Sequence, residues 1–204
     1  MSNVVFTFSD DGTVVYGKLP NESTFIIDAE DLDKIKTVKF YLGRKSSTGK
    51  QFYIIDNRGK ALHNYLFEHR PGFEIDHINL NTFDNRRCNI RYCTHQQNQM
   101  NQPLQRNNTS GVSGVSYYPP RGKFRARIKV YQKDIHLGYF DTFEDAVKAR
   151  NIGMLCMFGS YGRYTDTGNI PNWIKNKVIE KCACFEGLSQ NSAFFEFWEV
   201  TADE

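Results

Sequence analysis

Acidic residues are missing from a long central stretch of the chain. No aspartate or glutamate occurs between Asn85 and Lys133, yet Arg86, Arg87, Arg91, Arg106, Arg121, Lys123, Arg125, Arg127, Lys129 and Lys133 all fall there. The N-terminal third is acidic by contrast (Asp10, Asp11, Glu22, Asp28, Glu30, Asp31, Asp33), and so is the tail (Glu196, Glu199, Asp203, Glu204). The net charge of +3 over 204 residues hides this asymmetry. A basic block with no acid in it suits a surface that meets a polyanion, most simply nucleic acid. The plainer reading is a solvated basic face.

Long apolar runs are missing too. None approaches the roughly 18 to 20 residues needed to cross a bilayer. The opening residues, MSNVVFTFSDDG, lack the basic-then-apolar layout of a secretory signal. No membrane partner is expected, and the expected location is intracellular, in the cytoplasm. The cysteines Cys88, Cys93, Cys156, Cys182 and Cys184 are odd in number and show no disulfide-framework spacing, so reduced thiols are expected. Cys88 and Cys93 with Cys182 and Cys184 could form a four-sulfur zinc site. The usual two-residue gap is absent from both pairs, and structural zinc is not expected.

What is present reads as an α+β chain. Residues 1 to about 60 alternate short β-rich runs (VVFTF, TVVYGKL, STFIID, KTVKFYLG, KQFYIID) with turn residues, including Ser-Ser-Thr-Gly at 46–49. AEDLDKIK is a helical turn or two. ALHNYLFEH suits a short helix that Pro71-Gly72 ends, with His63 and His69 read as packing or capping residues. Phe73–Ile78 and Cys88–Tyr92 are strand candidates around an Asn- and Asp-rich turn. Thr94 with Gln97 forms a capping box that starts a helix with Asn98 at its fourth position, and Pro103 closes it. After the polar linker QRNNTS, three further strands (GVSGVSYY, KFRARIKV, DIHLGYF) precede a helix opened by Thr142 and Asp145. The division expected is 1–104, a β-rich N-terminal region with a ββα unit; 105–160, a three-stranded antiparallel sheet plus helix; and 161–204, a C-terminal extension of no assigned role. AFFEFWEV in that extension reads as a terminal strand or a docking segment.

The stretch FEIDHINLNTFDNRRCNIRYCTHQQNQMNQ (Phe73 to Gln102) carries the chemistry. Hydrolysis of a phosphodiester needs a base for the attacking water and a cation for the charge that builds on the phosphoryl and leaving oxygens. A hard divalent cation needs only a carboxylate and an amide oxygen from the protein, because it keeps waters and substrate oxygens in its shell. Asp76, His77, Asn89 and Asn98 supply these types, with Arg86, Arg87 and Arg91 placed where they could meet phosphate. Asp76 and His77 are adjacent, so they serve one centre only if the strand ends or bends there. From residue types alone a structural Asp-His pair and loop-satisfying asparagines remain an equal alternative.

IDHINLNTFDNRRCNIRYCTHQQNQMN, with its ALHNYLFEHRPGF lead-in, resembles the HNH nuclease motif of phage and intron-type homing endonucleases. The resemblance implies a ββα-metal fold with His77 as general base and Asp76 and Asn98 as ligands of one Mg²⁺ (or Mn²⁺) per active site. It implies that Asn89 holds the loop and orients the histidine, with products ending in 5′-phosphate and 3′-hydroxyl. Asn98 stands where other members have histidine, and His95 is a lesser candidate ligand. A bacterial or phage-infected cell is the implied setting.

KFRARIKV alternates with period two, setting Lys123, Arg125, Arg127 and Lys129 on one face and Phe124, Ala126, Ile128 and Val130 on the other. A sheet of this width can enter the major groove. SGVSGVSYYPPRGKFRARIKV with HLGYFDTFEDAVKAR resembles the Apetala/ethylene-response-factor type of DNA-binding domain. The departures are Ser116 and Tyr118, where that pattern has first-strand arginines, and Arg121, where it has a tryptophan. The sheet-in-groove mode carries over and the base sequence read does not. The expected partner is double-stranded DNA, bound by Arg86, Arg87, Arg91, Ser116, Tyr118, Arg121, Lys123, Arg125, Arg127 and Lys129. One ββα unit holds one active site, so a monomer would nick, and a homodimer or two sequential events would be needed to break both strands. The leading expectation is a metal-dependent, site-specific DNA endonuclease, homing or restriction in role. The alternative is a catalytically inactive, sequence-specific DNA-binding regulator.

Overall fold

A computed structural model of the chain describes residues 2–44, 52–104 and 106–185. The expected turn at 46–49 and the AFFEFWEV segment lie outside these residues. The architecture is mixed α+β, with several small antiparallel sheets and few helices. The chain forms two compact units, Met1–His95 and Gln96–Glu204.

In the first unit, β1 (Val5–Phe8), β2 (Val14–Lys18) and β3 (Thr24–Asp28) form an antiparallel sheet, and β4 (Tyr41–Arg44) pairs with β5 (Phe52–Ile55). Alternation drives the sheet: Val15, Phe25 and Ile27 point inward and are fully buried, beside Ile35, Phe40, Ile54 and Leu62. The run expected as one strand from Lys36 becomes β4 only at Tyr41. Asn3 explains this: its side-chain oxygen accepts from the Phe40 N–H at 2.9 Å and its amide donates to the Phe40 carbonyl at 2.8 Å. With both backbone groups of Phe40 satisfied by a side chain, no ladder is needed there. The helical turns are short: α1 (Leu32–Ile35), after a 3-10 turn, and α2 (His63–Leu66).

Two further strands complete the first unit: β6 (Glu74–His77) and β7 (Ile90–Cys93), antiparallel, with Asp76 opposite Arg91 and His77 opposite Ile90. Between them, residues 83–85 dock on the outer edge of β3. The Ile26 N–H donates to the Phe83 carbonyl and the Asn85 N–H to the Ile26 carbonyl, both at 2.8 Å. This is a parallel bridge between Ile26 and Asp84, and it gives the edge of β3 partners it would otherwise lack. Helix α3 (His95–Met100) follows β7 after one residue.

The second unit is built on a sheet in the order β10-β9-β8 (Val115–Tyr118, β8; Lys123–Val130, β9; Lys133–Phe140, β10). Ala126, Ile128, Val130, Ile135, Leu137 and Phe140 bury one face beneath α4 (Phe143–Phe158). Thr142 caps α4 by accepting from the Asp145 N–H at 3.1 Å. A bulge in β10 between His136 and Gly138 turns Leu137 into this core, where it meets Gly153 of α4. A Cβ at Gly153 would lie 2.7 Å from Leu137, so helix and strand approach at that distance only over a glycine. A last helix, α5 (Asn172–Ala183), was not foreseen in the sequence. It packs on α4 and β10 through Ile174, Val178 and Cys182. Among the described residues no helix is long and apolar enough to cross a membrane.

Candidate active site

Strand β6 ends at His77, which answers the requirement that the strand stop where its adjacent acid and imidazole must serve one centre. The His77 carbonyl accepts from the Leu80 N–H at 2.9 Å, closing a tight turn with Leu80 at φ 64°. Asp76 and His77 are each only 5% exposed. Burial of a charged and a basic group costs free energy unless each is partnered, and both are.

Asp76 is met across the hairpin by Arg91, whose Nε (2.9 Å) and terminal nitrogen (2.8 Å) converge on carboxylate oxygen Oδ2. His77 faces the other side of the strand. Its Nε2 lies 3.2 Å from the side-chain oxygen of Asn85. The Asn85 amide nitrogen donates to the Thr82 carbonyl at 3.3 Å, which turns the oxygen toward the ring. An amide oxygen only accepts. Neutral His77 therefore carries its proton on Nε2 and its lone pair on Nδ1. The ring also packs edge-on against His63 (centroids 5.4 Å apart) and Tyr53 (6.2 Å).

Asn89 closes the loop from within. Its side-chain oxygen accepts from the Asn79 N–H at 3.0 Å and its amide donates to the Asp84 carbonyl at 2.7 Å. The ring contact belongs to Asn85, a residue that sequence reading placed in the DNRR turn without giving its side chain a role. Asn79 and Asn81 cap the N–H groups two residues on (2.8 and 3.1 Å), as their type favours.

Arg86, Arg87 and Arg91, expected to face phosphate, have carboxylates of their own unit as partners. Arg86 grips Asp84 through two bonds of 2.8 and 2.7 Å, and this pairing holds the Asp84 carboxyl below its ordinary value. Arg87 reaches the acidic N-terminal segment, with Asp31 at 2.8 Å, Glu30 at 2.5 Å, and its own N–H on Asp28 at 2.7 Å. Arg91 holds Asp76. The observed work of these arginines is to tie the loop to the sheet and to neutralise acids. His95 Nδ1 lies 2.8 Å from the Glu74 carboxylate. Asn98 is the fourth residue of α3, partly buried, and belongs to the second unit.

Residues 61–100 match the family model described as HNH endonuclease. The HNH segment begins just before α2 and ends with α3, so it contains Asp76, His77, Asn85, Asn89 and Asn98. It supports a nuclease, a hydrolase of nucleic acid. Neither the curated proteins nor the solved structures give a match to the chain. The HNH segment does not contain β3, on whose edge its central loop rests.

HNH nucleases generally use a divalent metal ion. Among the described residues there is no group of three or more His, Cys, Asp and Glu that could hold one. The oxygen donors available fit a hard cation that keeps most of its shell as water and substrate oxygen, as Mg²⁺ does. Asp76 offers the charge, which Arg91 now balances. All five cysteines are free thiols, and burial pushes the Cys93 thiol up to about 11.

In the second unit the cross-strand register places Ser116 beside Arg125, Tyr118 beside Lys123, Arg127 beside His136 and Lys129 beside Asp134. All lie on the sheet face opposite α4. The acid-free block of the sequence is not acid-free in space. Asp134 pairs with Arg127 at 3.2 Å and Asp141 with Lys123 at 3.0 Å. Arg121 stacks on Tyr139 (4.5 Å to the ring centre) and Arg125 on Tyr118 (5.5 Å).

Proposed function

We propose that this chain is a metal-dependent endonuclease of double-stranded DNA. His77 is its general base, and the products carry 5′-phosphate and 3′-hydroxyl ends. The observation that carries this reading is the His77–Asn85 contact inside a segment that matches the HNH endonucleases. The contact leaves the basic lone pair on Nδ1, where a water can give up its proton. That water's oxygen bonds to phosphorus as the bond from phosphorus to the 3′ oxygen breaks; the water's proton is held at Nδ1, and the departing 3′ oxygen takes a proton from solvent to become the hydroxyl. Asp76 and, by the motif, Asn98 would hold a Mg²⁺ or Mn²⁺ ion. When bound, such an ion stabilises negative charge on the phosphoryl and leaving oxygens. Asn89 keeps the loop closed so that Asn85 stays on the ring.

The second unit would bring the DNA. Its outer sheet face, with Ser116, Tyr118, Arg121, Lys123, Arg125, Arg127 and Lys129, suits a major groove, the cations meeting phosphate or guanine edges. Sequence preference would arise there, since the nuclease site has only phosphate chemistry.

Supercoiled plasmid incubated with Mg²⁺ tests this. Wild type should nick or linearise it, and His77→Ala should lose about two orders of magnitude or more in rate. Equal, negligible cutting by both proteins on every substrate would remove the assignment. Duplex binding without cutting would identify a DNA-binding regulator instead.

A further inference from the structure

Helix α4 carries a charge on the side it buries. Ala146, Val147, Arg150 and Met154 share one helical stripe, and Arg150 is only 6% exposed within it. Its Nε donates to the Ser113 carbonyl at 3.1 Å and its Nη1 to the Arg163 carbonyl. A guanidinium has five N–H donors, so these two bonds leave three. Among the described residues, Asp31 Oδ2 and Arg125 Nε are the buried side-chain nitrogen and oxygen atoms without a partner. Nη2 of Arg150 makes no hydrogen bond and is not one of them, so it stays open to solvent. No carboxylate acts on this guanidinium, and burial pushes it down to about 10. A buried charge held by carbonyls alone is left without its counter-charge.

Arg150 lines a cavity of about 670 Å³ beside β8, within the second unit. Three more cations line it, Arg127, Lys129 and Arg163, against one carboxylate, Asp134, which Arg127 already pairs at 3.2 Å. Among the described residues, Lys129, Arg150 and Arg163 form no ion pair. Hydroxyls of Thr109, Ser113 and Ser116 add neutral donors around the same space. The wall is set by its own bonds. Asn108 accepts from the Gly111 N–H at 2.7 Å, and the Ser110 hydroxyl donates to the Val112 carbonyl at 2.9 Å. Gly114, at φ 82°, brings the wall against β9, where its carbonyl accepts from the Arg127 N–H at 2.9 Å. A Cβ at Gly114 would clash with the Arg127 carbonyl, so this approach requires glycine.

We propose that this cavity is a phosphate-binding site, with Arg150 at its floor and Lys129 and Arg163 at its rim. A phosphate supplies the counter-charge that the buried guanidinium lacks, and a planar fork suits its oxygens. The Ser113 and Arg163 carbonyls already fix the Arg150 side chain, so little freedom is lost when the ligand enters. Two sources carry this chemistry: a nucleic-acid backbone, and a free phosphate or nucleotide. Ser116, Arg127 and Lys129 belong both to the cavity and to the sheet face opposite α4. The site does not depend on the nuclease reading, and a phosphate ion tests it without DNA.

The test is titration calorimetry on the full chain without divalent metal, using inorganic phosphate and thymidine 5′-monophosphate, each against chloride at equal ionic strength. Wild type should bind at least one of the two saturably, with one ligand per chain. Arg150→Met should weaken that binding about tenfold or more, and so should Lys129→Gln with Arg163→Gln, two exposed rim positions. Absence of saturable binding of both probes to wild type overturns the proposal. So does wild-type affinity in Arg150→Met, provided thermal melting shows that variant folded. Should it not fold, wild-type affinity in the rim variant overturns the proposal instead. A saturating duplex of arbitrary sequence then separates the sources. If the site takes backbone phosphate, duplex displaces the probe, and Arg150→Met flattens the slope of log affinity for duplex against log salt by about 0.9. If it takes a free phosphate or nucleotide, the probe binds as tightly with duplex present and the slope stays.

Discussion

His77 and Asn85 are bound to each other through the imidazole Nε2 and the amide oxygen, 3.2 Å apart, and both are nearly inaccessible to solvent. The amide cannot rotate without losing its bond to Thr82. Asn85→Ala should therefore leave the ring free to adopt the other tautomer. Single-turnover cleavage should slow by about tenfold to a hundredfold, as for other residues that orient a working histidine. Asn85→Asp keeps an acceptor at the same place and should recover part of the rate. Equal rates for all three proteins would show that the contact does not matter.

The Asp76–Arg91 pair leads to a prediction about stability as well as activity. Arg91→Ala strands a buried carboxylate and should destabilise the first unit by about 3 kcal/mol in urea titrations. Replacing both residues by leucine removes the stranded charge. That double variant should recover much of the stability while cutting no DNA.

Acid should weaken the loop in a definite direction. Asp84 titrates below its ordinary 3.8, chiefly because Arg86 hydrogen-bonds its ionised form. A carboxyl with a depressed folded value stabilises the fold above its unfolded value and loses that contribution as the pH falls through the folded one. Urea midpoints should drop from about pH 4 downward, and Asp84→Asn should show a smaller drop over the same interval.

The β9–β10 turn offers a gain. Tyr131 and Gln132 join Val130 to Lys133 with φ of 46° and 63°, the two-residue geometry that favours Asn-Gly. Gln132→Gly relieves a left-handed conformation that costs a non-glycine residue about 1 kcal/mol. The variant should melt a few degrees higher by calorimetry.

How far the sequence could be read depends on how local each determinant is. Strand β9 appears with the bounds its alternation implies, because one face must be apolar and the other charged. The start of α4 is equally local, set by Thr142 and Asp145 three residues apart. Asp76 and His77 stand at a strand end, as their neighbours in the chain implied. What could not be read was distant. Asn85 is positioned by the backbone of Ile26, and Arg87 by Asp28 and Asp31. No spacing rule joins residues that far apart. Helix α5 escaped for another reason: only Ile174, Val178 and Cys182 are fully buried, and the exposed Trp173 and partly buried Ile179, each next to one of them in the chain, blur the period.

The docking of residues 83–85 on β3 has a consequence for anyone who would move this nuclease into another protein. A fragment cut to residues 61–100 would carry the whole matched motif, yet Ile26 would stay behind. Asn85 would then lose the backbone acceptor that sets its height beneath His77. Such a transplant would take the residues proposed for catalysis without the surface that positions Asn85. The smallest portable piece is therefore discontinuous in sequence, the motif together with the hairpin of β2 and β3.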